Sequence, residues 1–288
     1  MPVVLKKDIE NAFASITVQE LHEKHFDPNW HFHPHYQIFT VLNSNGTRFI
    51  GDDIAVFNTG DTVFLGPDLP HLWRNDKAYF EGTATSEAHG LVLYFTDDFL
   101  GKDFFEKPEM HLIKNLLEHS KRGISWSEKS NKLIIGYLKE ILILNGFDRI
   151  LKLLELLHLL SQDKNYTFIT KEGYANSHKV SETERMQKVH DFVLKNFKTE
   201  IKLQEISETI SMSEAAFCRY FKKRANKTFT DFVNEIRIGN ACKMIAEQKY
   251  SISEICFESG FNTISNFNHQ FKKIVQKTPS EYLKALKI

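Results

Sequence analysis

From Trp30 to Phe95, apolar and polar positions alternate in short runs: Gln37 to Leu42, Thr47 to Ile50, Ile54 to Phe57, Thr62 to Leu65 and Leu91 to Phe95. A period of two places alternate side chains on opposite faces of an extended chain, so each run predicts a strand. The segments Asn43-Ser44-Asn45-Gly46, Gly51-Asp52-Asp53 and Asn58-Thr59-Gly60-Asp61 separate them with residues that tolerate positive φ. Short strands between such turns predict a small barrel or sandwich. From about Phe104 the period lengthens. Ile113, Leu116 and Leu117 share one helical face, Leu133 to Leu144 predict a second helix, and Ile150 to Leu160 a third. That third helix carries Leu151, Leu153, Leu154, Leu156, Leu157, Leu159 and Leu160 on nearly every side. A homodimer seam and a helix buried within one chain both satisfy this pattern.

Ser161 to Glu182 is polar without a sustained period and reads as an interdomain linker. Beyond it the helical period returns, first in Met186, Val189, Phe192, Val193 and Phe197. Leu203, Ile206 and Ile210 put one short helix on a core. Ser211-Met212 makes a tight connection, Ser213 offers an N-cap, and Phe217 with Phe221 anchors a second helix. Two short helices joined this closely predict a helix-turn-helix. The pattern recurs in Ile252, Ile255, Phe257 and Gly260, then Ile264, Phe267 and Phe271. Between the copies, Phe229 to Ala246 reads as one helix about 27 Å long at about 1.5 Å per residue. Reading helices held about 34 Å apart would meet successive major grooves of a duplex.

At 288 residues the chain has room for about two domains. The predicted organisation is a barrel over 1–100, a helical dimerisation region over 101–162, a linker over 163–182 and a helical domain over 183–288. The hydrophobic share of 42% and charged share of 26% suit an ordinary soluble protein. No apolar run approaches the roughly 20 residues that span a bilayer, and no secretory apolar segment follows Met1. Cys218, Cys242 and Cys256 are odd in number and spaced unlike zinc ligands, which predicts a reducing, cytoplasmic setting. The chain has 37 basic and 37 acidic residues, yet from Thr183 onward 18 Lys and Arg face 12 Asp and Glu, leaving 19 against 25 before it. Only the tail is basic, as a part that approaches a polyanion would be.

The run from Met186 to Leu286 resembles the double helix-turn-helix domain of AraC/XylS-type transcription activators. Their pattern IxxIxxxxGFxxxSxFxxxFKxxxxxTPxxY is matched by Ile252, Ile255, Gly260, Phe261, Ser265, Phe267, Phe271, Lys272, Thr278, Pro279 and Tyr282. The glycines usual after each recognition helix are replaced by Asn226 and Gln276. Helical phase turns Phe217, Tyr220 and Phe221 inward, so Ala215, Cys218, Arg219 and Lys222 point out, with Lys223 and Arg224 near phosphates. Arg219 is the best base reader, since a bidentate contact to guanine O6 and N7 gives about 1 to 3 kcal/mol of discrimination. In the second unit Ile264, Phe267 and Phe271 face inward, and Ser265, Asn266 and His269 point out. Asn266 suits adenine, while Lys272 and Lys273 neutralise phosphate without sequence preference.

Trp30 to about Asn75 resembles the cupin barrel attached to such regulators. The cupin motif HxHxxxE stands here as His31-Phe-His33-Pro-His35-Tyr-Gln37, and the second motif as GDTVFLGPDLPHLWRN, with His71. On a strand His31, His33, His35 and Gln37 would project from one face. The resemblance implies metal ligands His31, His33, Gln37 and His71, with Gln in place of Glu. Three imidazoles and an amide admit zinc, iron, nickel or copper, but losing the carboxylate removes a charge that helps hold a dication. The same side chains suit a pocket that hydrogen-bonds a sugar-like effector, or plain structural roles. His35 has no counterpart among the usual ligands and is read as an effector contact. Trp73, Arg74, Phe39 and Tyr94 are secondary pocket candidates.

The sequence thus predicts an α+β chain: a cupin-like β-barrel with a helical extension, then an all-α double helix-turn-helix domain. It predicts a regulator, activating by resemblance, that binds double-stranded DNA under a small-molecule effector such as a carbohydrate. A homodimer is expected, RNA polymerase is a partner the resemblance allows, and no membrane association or catalysis is expected. The rival reading is a metal-dependent cupin oxygenase or isomerase fused to a DNA-binding domain. Gln37 and the lack of an evident general base speak against it.

Overall fold

The central strands of the first unit form because both of their faces are claimed by apolar partners. The computed structural model describes residues 15–174, 180–225 and 227–285, without the side chains of 180–184 and 187. Its contacts divide into two units, Met1–Val180 and Ser181–Ile288. The first unit runs β1 (Ile16–Glu23), β2 (Tyr36–Asn43), β3 (Gly46–Ile50), β4 (Asp53–Phe57), β5 (Thr62–Leu65), β6 (His71–Asn75), α1 (Lys77–Glu81) and β7 (Ala88–Phe95). It continues through α2 (His111–Ser120), β8 (Ile124–Trp126), α3 (Glu128–Ile143), α4 (Gly146–Gln162) and β9 (Tyr166–Phe168). All pairings are antiparallel, in a six-stranded sheet ordered β1-β7-β2-β5-β8-β9 and a three-stranded sheet ordered β4-β3-β6.

Alternation along the strands sorts the core into two layers. Tyr36 and Ile38 of β2, Phe64 of β5 and Leu91, Leu93 and Phe95 of β7 pack against Ile113, Ile134, Leu138 and Leu157 of the helices. The intervening residues Phe39, Val41, Val63, Leu65, Val92 and Tyr94 pack instead against Ile50, Phe57 and Trp73 of the smaller sheet. The central strands are covered on both faces, which is why they read as nearly continuous apolar runs. Among the described residues the pairing does not close into the expected single barrel. It gives two facing sheets, and an isolated bridge between His31 and His71 ties the segment before β2 to β6 of the smaller sheet.

One boundary differs from the sequence reading. Part of the expected linker belongs to the first unit: β9 pairs with β8, Ile169 and Thr170 donate backbone bonds to Gly123 and Arg122, and Lys171 N–H bonds Asp52. At three residues β9 is too short for alternation to register. Residues 1–14 and 175–179, which fall in the expected barrel and linker, lie outside the described residues. The third predicted helix, α4, is also largely consumed by its own unit. Leu153, Leu156, Leu157 and Leu160 are buried there, and of its leucines only Leu151 is strongly exposed.

The second unit is all helical: α5 (Val180–Asn196), α6 (Leu203–Thr209), α7 (Glu214–Ala225), α8 (Phe229–Glu247), α9 (Ile252–Glu258), α10 (Ile264–Val275) and α11 (Pro279–Ala285). Among the described residues no helix is long and apolar enough to cross a membrane.

Candidate nucleic-acid interface and histidine pocket

The repeat seen in sequence is a repeat of local geometry. In the first copy Ser211 adopts a left-handed φ of 57° and the Met212 N–H donates to the Ser207 carbonyl, 2.9 Å. In the second, Gly260 has φ 84° and the Phe261 N–H donates to Cys256, 3.2 Å. Glycine is demanded at the second site, because a Cβ on Gly260 would run into the Phe197 carbonyl. Arg237 of α8 bonds that same carbonyl and the one of Thr199, both 2.8 Å, tying the spacer helix to the end of α5. Each following helix is capped at its start: Ser213 accepts from the Ala216 N–H and Thr263 from the Asn266 N–H. Such caps contribute about 0.5 to 2 kcal/mol each. α9 carries a full capping box between Ser251 and Glu254.

Buried aromatic rings set the rotation of α7 and α10. Phe217 and Phe221 meet Phe229 and Phe232 edge to face, and Phe267 and Phe271 pack with Phe261 and Tyr282. Opposite them Ala215, Cys218, Arg219, Lys222 and Lys223 are exposed on α7, and Ser265, Asn266, His269, Lys272 and Lys273 on α10. Arg224 is half-buried. Lys273 is not a free cation, since its Nζ lies 2.8 Å from Asp231 Oδ1 on α8. Three residues read as core turn outward: Leu203 is at the edge of exposure, Ile264 is 43% exposed and Phe257 54%. Ile264 is the first residue of α10, before the helix has turned its apolar face inward. Gln276 takes the left-handed C-cap that glycine would fill, with φ 61°, and its side-chain amide donates to the Lys273 carbonyl, 2.8 Å. Asn226 lies outside the described residues.

In the first unit the His31 to Gln37 stretch is not a continuous strand. β2 starts only at Tyr36; Pro34, which cannot donate to a ladder, sits in a bend between His33 and His35. The bend nevertheless gathers His31, His33 and His71, all buried, with ligand atoms within 4.8 Å of one another. Their Nδ1 atoms face backbone carbonyls: His31 to Asn29 at 2.7 Å, His71 to Leu69 at 2.7 Å and His33 to His35 at 3.1 Å. A carbonyl only accepts, so the protons of His31 and His71 sit on Nδ1 and their Nε2 lone pairs are presented inward. His33 Nε2 lies 2.7 Å from Gln37 Oε1. Burial lowers its pKa to about 3, so the ring is neutral and has one proton to give either to His35 or to Gln37. With the proton on Nδ1, Nε2 and the amide oxygen are both acceptors, held together only by an amide turned to present its NH2 or by a cation.

Beside this cluster lies a cavity of about 340 Å³ lined by Phe26, Asn29, His31, Gln37, Phe39, Trp73 and Tyr94, with Glu23 from the end of β1 and His25 and Asp27 from the chain after it. Of the sequence candidates, His31, Gln37, Trp73, Phe39 and Tyr94 line it. His33 and His71 stand behind them. His35 is half-buried and does not line the cavity, because the bend at Pro34 throws it out of phase. Arg74 alternates away from Trp73 and lies over the Phe80 ring, 5.1 Å from its centre. The stretch from Glu23 to Asn29 was not legible as a wall, since it has no periodicity and no motif.

A family profile described as a helix-turn-helix domain matches residues 206–285. The regulator YdeC of Bacillus subtilis is 28% identical over 100 residues, covering 35% of this chain and 34% of that protein. The transcriptional regulatory protein HptR of Staphylococcus aureus is 28% identical over 102 residues, 35% of this chain and 40% of that one. The chain thus spans between about a third and two-fifths of these curated relatives. Among solved structures, ToxT from Vibrio cholerae is similar at 17% identity over 95% of this chain and all of that one, with a TM-score of 0.37. The carboxy-terminal domain of the response regulator yesN from Fusobacterium nucleatum covers 35% of this chain and 98% of that one at 23% identity, with a TM-score of 0.33. Residues 206–285 of the second unit thus form a helix-turn-helix domain of the AraC type.

Proposed function

We propose that the protein is a sequence-specific transcription regulator, an activator, whose tail grips double-stranded DNA with two helix-turn-helix units under the control of a small molecule bound in the first unit. The observation that carries this reading is the pair of equivalent helices, α7 and α10, each capped and each presenting a polar face away from a phenylalanine core. The cytoplasm and RNA polymerase are the setting and partner that follow from this role. Arg219 and Asn266 read bases; Lys222, Lys223 and Lys272 hold phosphates. The effector sits in the cavity between Phe39, Trp73 and Tyr94, and Asn29, His31 and Gln37 supply hydrogen bonds of the kind a carbohydrate hydroxyl takes. It acts only by binding one arrangement of the protein better than another, since equal affinity for two states moves no equilibrium.

The buried imidazoles support a second occupant. Carbonyl contacts at all three Nδ1 atoms are the outer-shell arrangement that orients zinc-type ligands, so His31, His33 and His71 with Gln37 fit a divalent ion. Bound there, the ion would supply a Lewis-acidic anchor for an effector oxygen. A homodimer forms through the exposed apolar corner between α3 and α4, where Ile143 is 78% exposed and Phe147 70%, with Leu151 beside them in sequence. The test is footprinting of the full chain on its own upstream DNA, with and without candidate sugars. A protected pair of half-sites whose occupancy responds to one compound supports the reading. Equal affinity for upstream and random duplex overturns it, and turnover of a compound by the first unit would favour the cupin-enzyme alternative.

A further inference from the structure

The edge strand β1 carries chemistry on the face opposite the cavity. Leu21 and Glu23 line the cavity, whereas Glu20 and His22 project from the other side of the strand. There His22 is the direct cross-strand partner of His89 on β7, and the two rings stack with centroids 4.1 Å apart. Both Nε2 atoms turn toward one carboxylate oxygen: Glu20 Oε1 is 2.8 Å from His89 and 3.8 Å from His22. One ligand atom from each of the three lies within 4.8 Å of the other two.

We propose that Glu20, His22 and His89 form a divalent transition-metal site, separate from the buried histidine triad. A hydrogen bond to Glu20 accounts for the orientation of His89 alone. A shared cation accounts for both rings facing the same oxygen. In a tetrahedral site with bonds of about 2.0 to 2.1 Å, ligand atoms stand about 3.3 Å apart, and the two observed distances bracket that value. The side chains are partly exposed, so the required half-ångström adjustments meet no core packing. Two imidazoles with one carboxylate select zinc, nickel or copper over magnesium or calcium, which prefer all-oxygen sets. A fourth position stays open to water. The ion would clamp the edge strand to β7, and with it the wall that carries Leu21 and Glu23.

The probe is Zn²⁺ alone, titrated into the chelator-stripped full chain at about pH 7.5, where ordinary imidazoles are mostly neutral. Calorimetry gives the stoichiometry and ¹⁵N imidazole spectra identify the rings that respond. His22 and His89 are expected to shift together. One zinc equivalent should vanish in the His22→Asn, His89→Asn double variant while persisting in His33→Gln, which removes only a member of the buried triad. Losing an outer partner of a metal ligand costs about 10- to 100-fold in affinity, so Glu20→Gln, which weakens a ligand itself, should cost at least as much. Melting curves in chelator check that the variants fold. The proposal is overturned if wild type and double variant bind the same number of ions equally well, if the His22 and His89 signals stay put while zinc binds elsewhere, or if no zinc binds.

Discussion

Arg219→Ala separates base reading from charge. Arg219 is exposed on α7, on the face opposite Phe217 and Phe221, both fully buried. Alanine is the best helix former and removes no core contact, so folding stability should move by less than about 0.5 kcal/mol. A bidentate guanine contact contributes about 1 to 3 kcal/mol of discrimination, so the ratio of specific to random affinity should fall about 5- to 160-fold. Lys272→Ala is the matched control: Lys272 is exposed on α10, and if it holds a phosphate as proposed its loss should weaken every duplex alike. The slope of log affinity against log salt should then become shallower by about 0.9, the release of one counterion. Anisotropy titrations of the full chain on upstream and scrambled duplexes, between about 50 and 200 mM salt, measure both quantities. If Arg219→Ala weakens both duplexes equally, Arg219 is a phosphate contact and the assignment of α7 as a reading helix by this residue fails.

Three further outcomes follow from the geometry. Gly260→Ala forces a side chain into a left-handed conformation against the Phe197 carbonyl and should destabilise the second unit by about 2 kcal/mol or more; an unchanged denaturation midpoint would show that the turn relaxes freely. Acid should destabilise both units. Burial lowers His33 and His190 to about 3, so below an unfolded value near 6.5 the unfolded chain binds protons that the folded chain refuses. Stability contributed by each neutral ring is full above about pH 6.5 and falls by up to about 1.4 kcal/mol per unit as pH drops toward 3. His190→Leu should flatten that slope in the second unit, and identical acid melts would refute it. Phe147→Glu, at a 70% exposed position, should abolish self-association in sedimentation while leaving the melt unchanged; an unaltered dimer would place the seam elsewhere.

The helix-turn-helix repeat was legible because every structural demand in it leaves a residue-type signature. Gly260 marks the left-handed turn, Ser213, Ser251 and Thr263 mark helix starts, and phenylalanines four apart mark the buried face. Where the sequence departs from pattern at Gln276, the backbone kept its left-handed cap and the side chain took up a hydrogen bond to the helix end. Failures fall where a signal is shared by two environments. Leu203, Phe257 and Ile264 have helical spacing but sit at helix edges, and β8 and β9 are too short for alternation to register. The leucines of α4 could not distinguish a partner's core from their own until α2 and α3 were seen to cover them.

The histidine stretch shows why spacing and chemistry must be argued separately. Alternate spacing predicted one strand face holding four side chains, but Pro34 breaks the strand and expels His35. Convergence of His31, His33 and His71 instead comes from the bridge between His31 and His71, a pairing of residues far apart in sequence. What gives His31 and His71 aligned Nε2 lone pairs is the carbonyl beneath each Nδ1, supplied by Asn29 and Leu69. Any residue type has such a carbonyl. No side-chain motif could therefore have announced it. Gln37 bears on the third ring: with the His33 proton on Nε2 the ring donates to Oε1, whereas with it on Nδ1 the amide must turn its NH2 to a bare nitrogen or its oxygen to a bound cation. The His33 tautomer and the Gln37 amide orientation together, read from their nitrogen shifts with and without zinc, decide whether His33 Nε2 is spent on Gln37 or open to a cation, without recourse to activity.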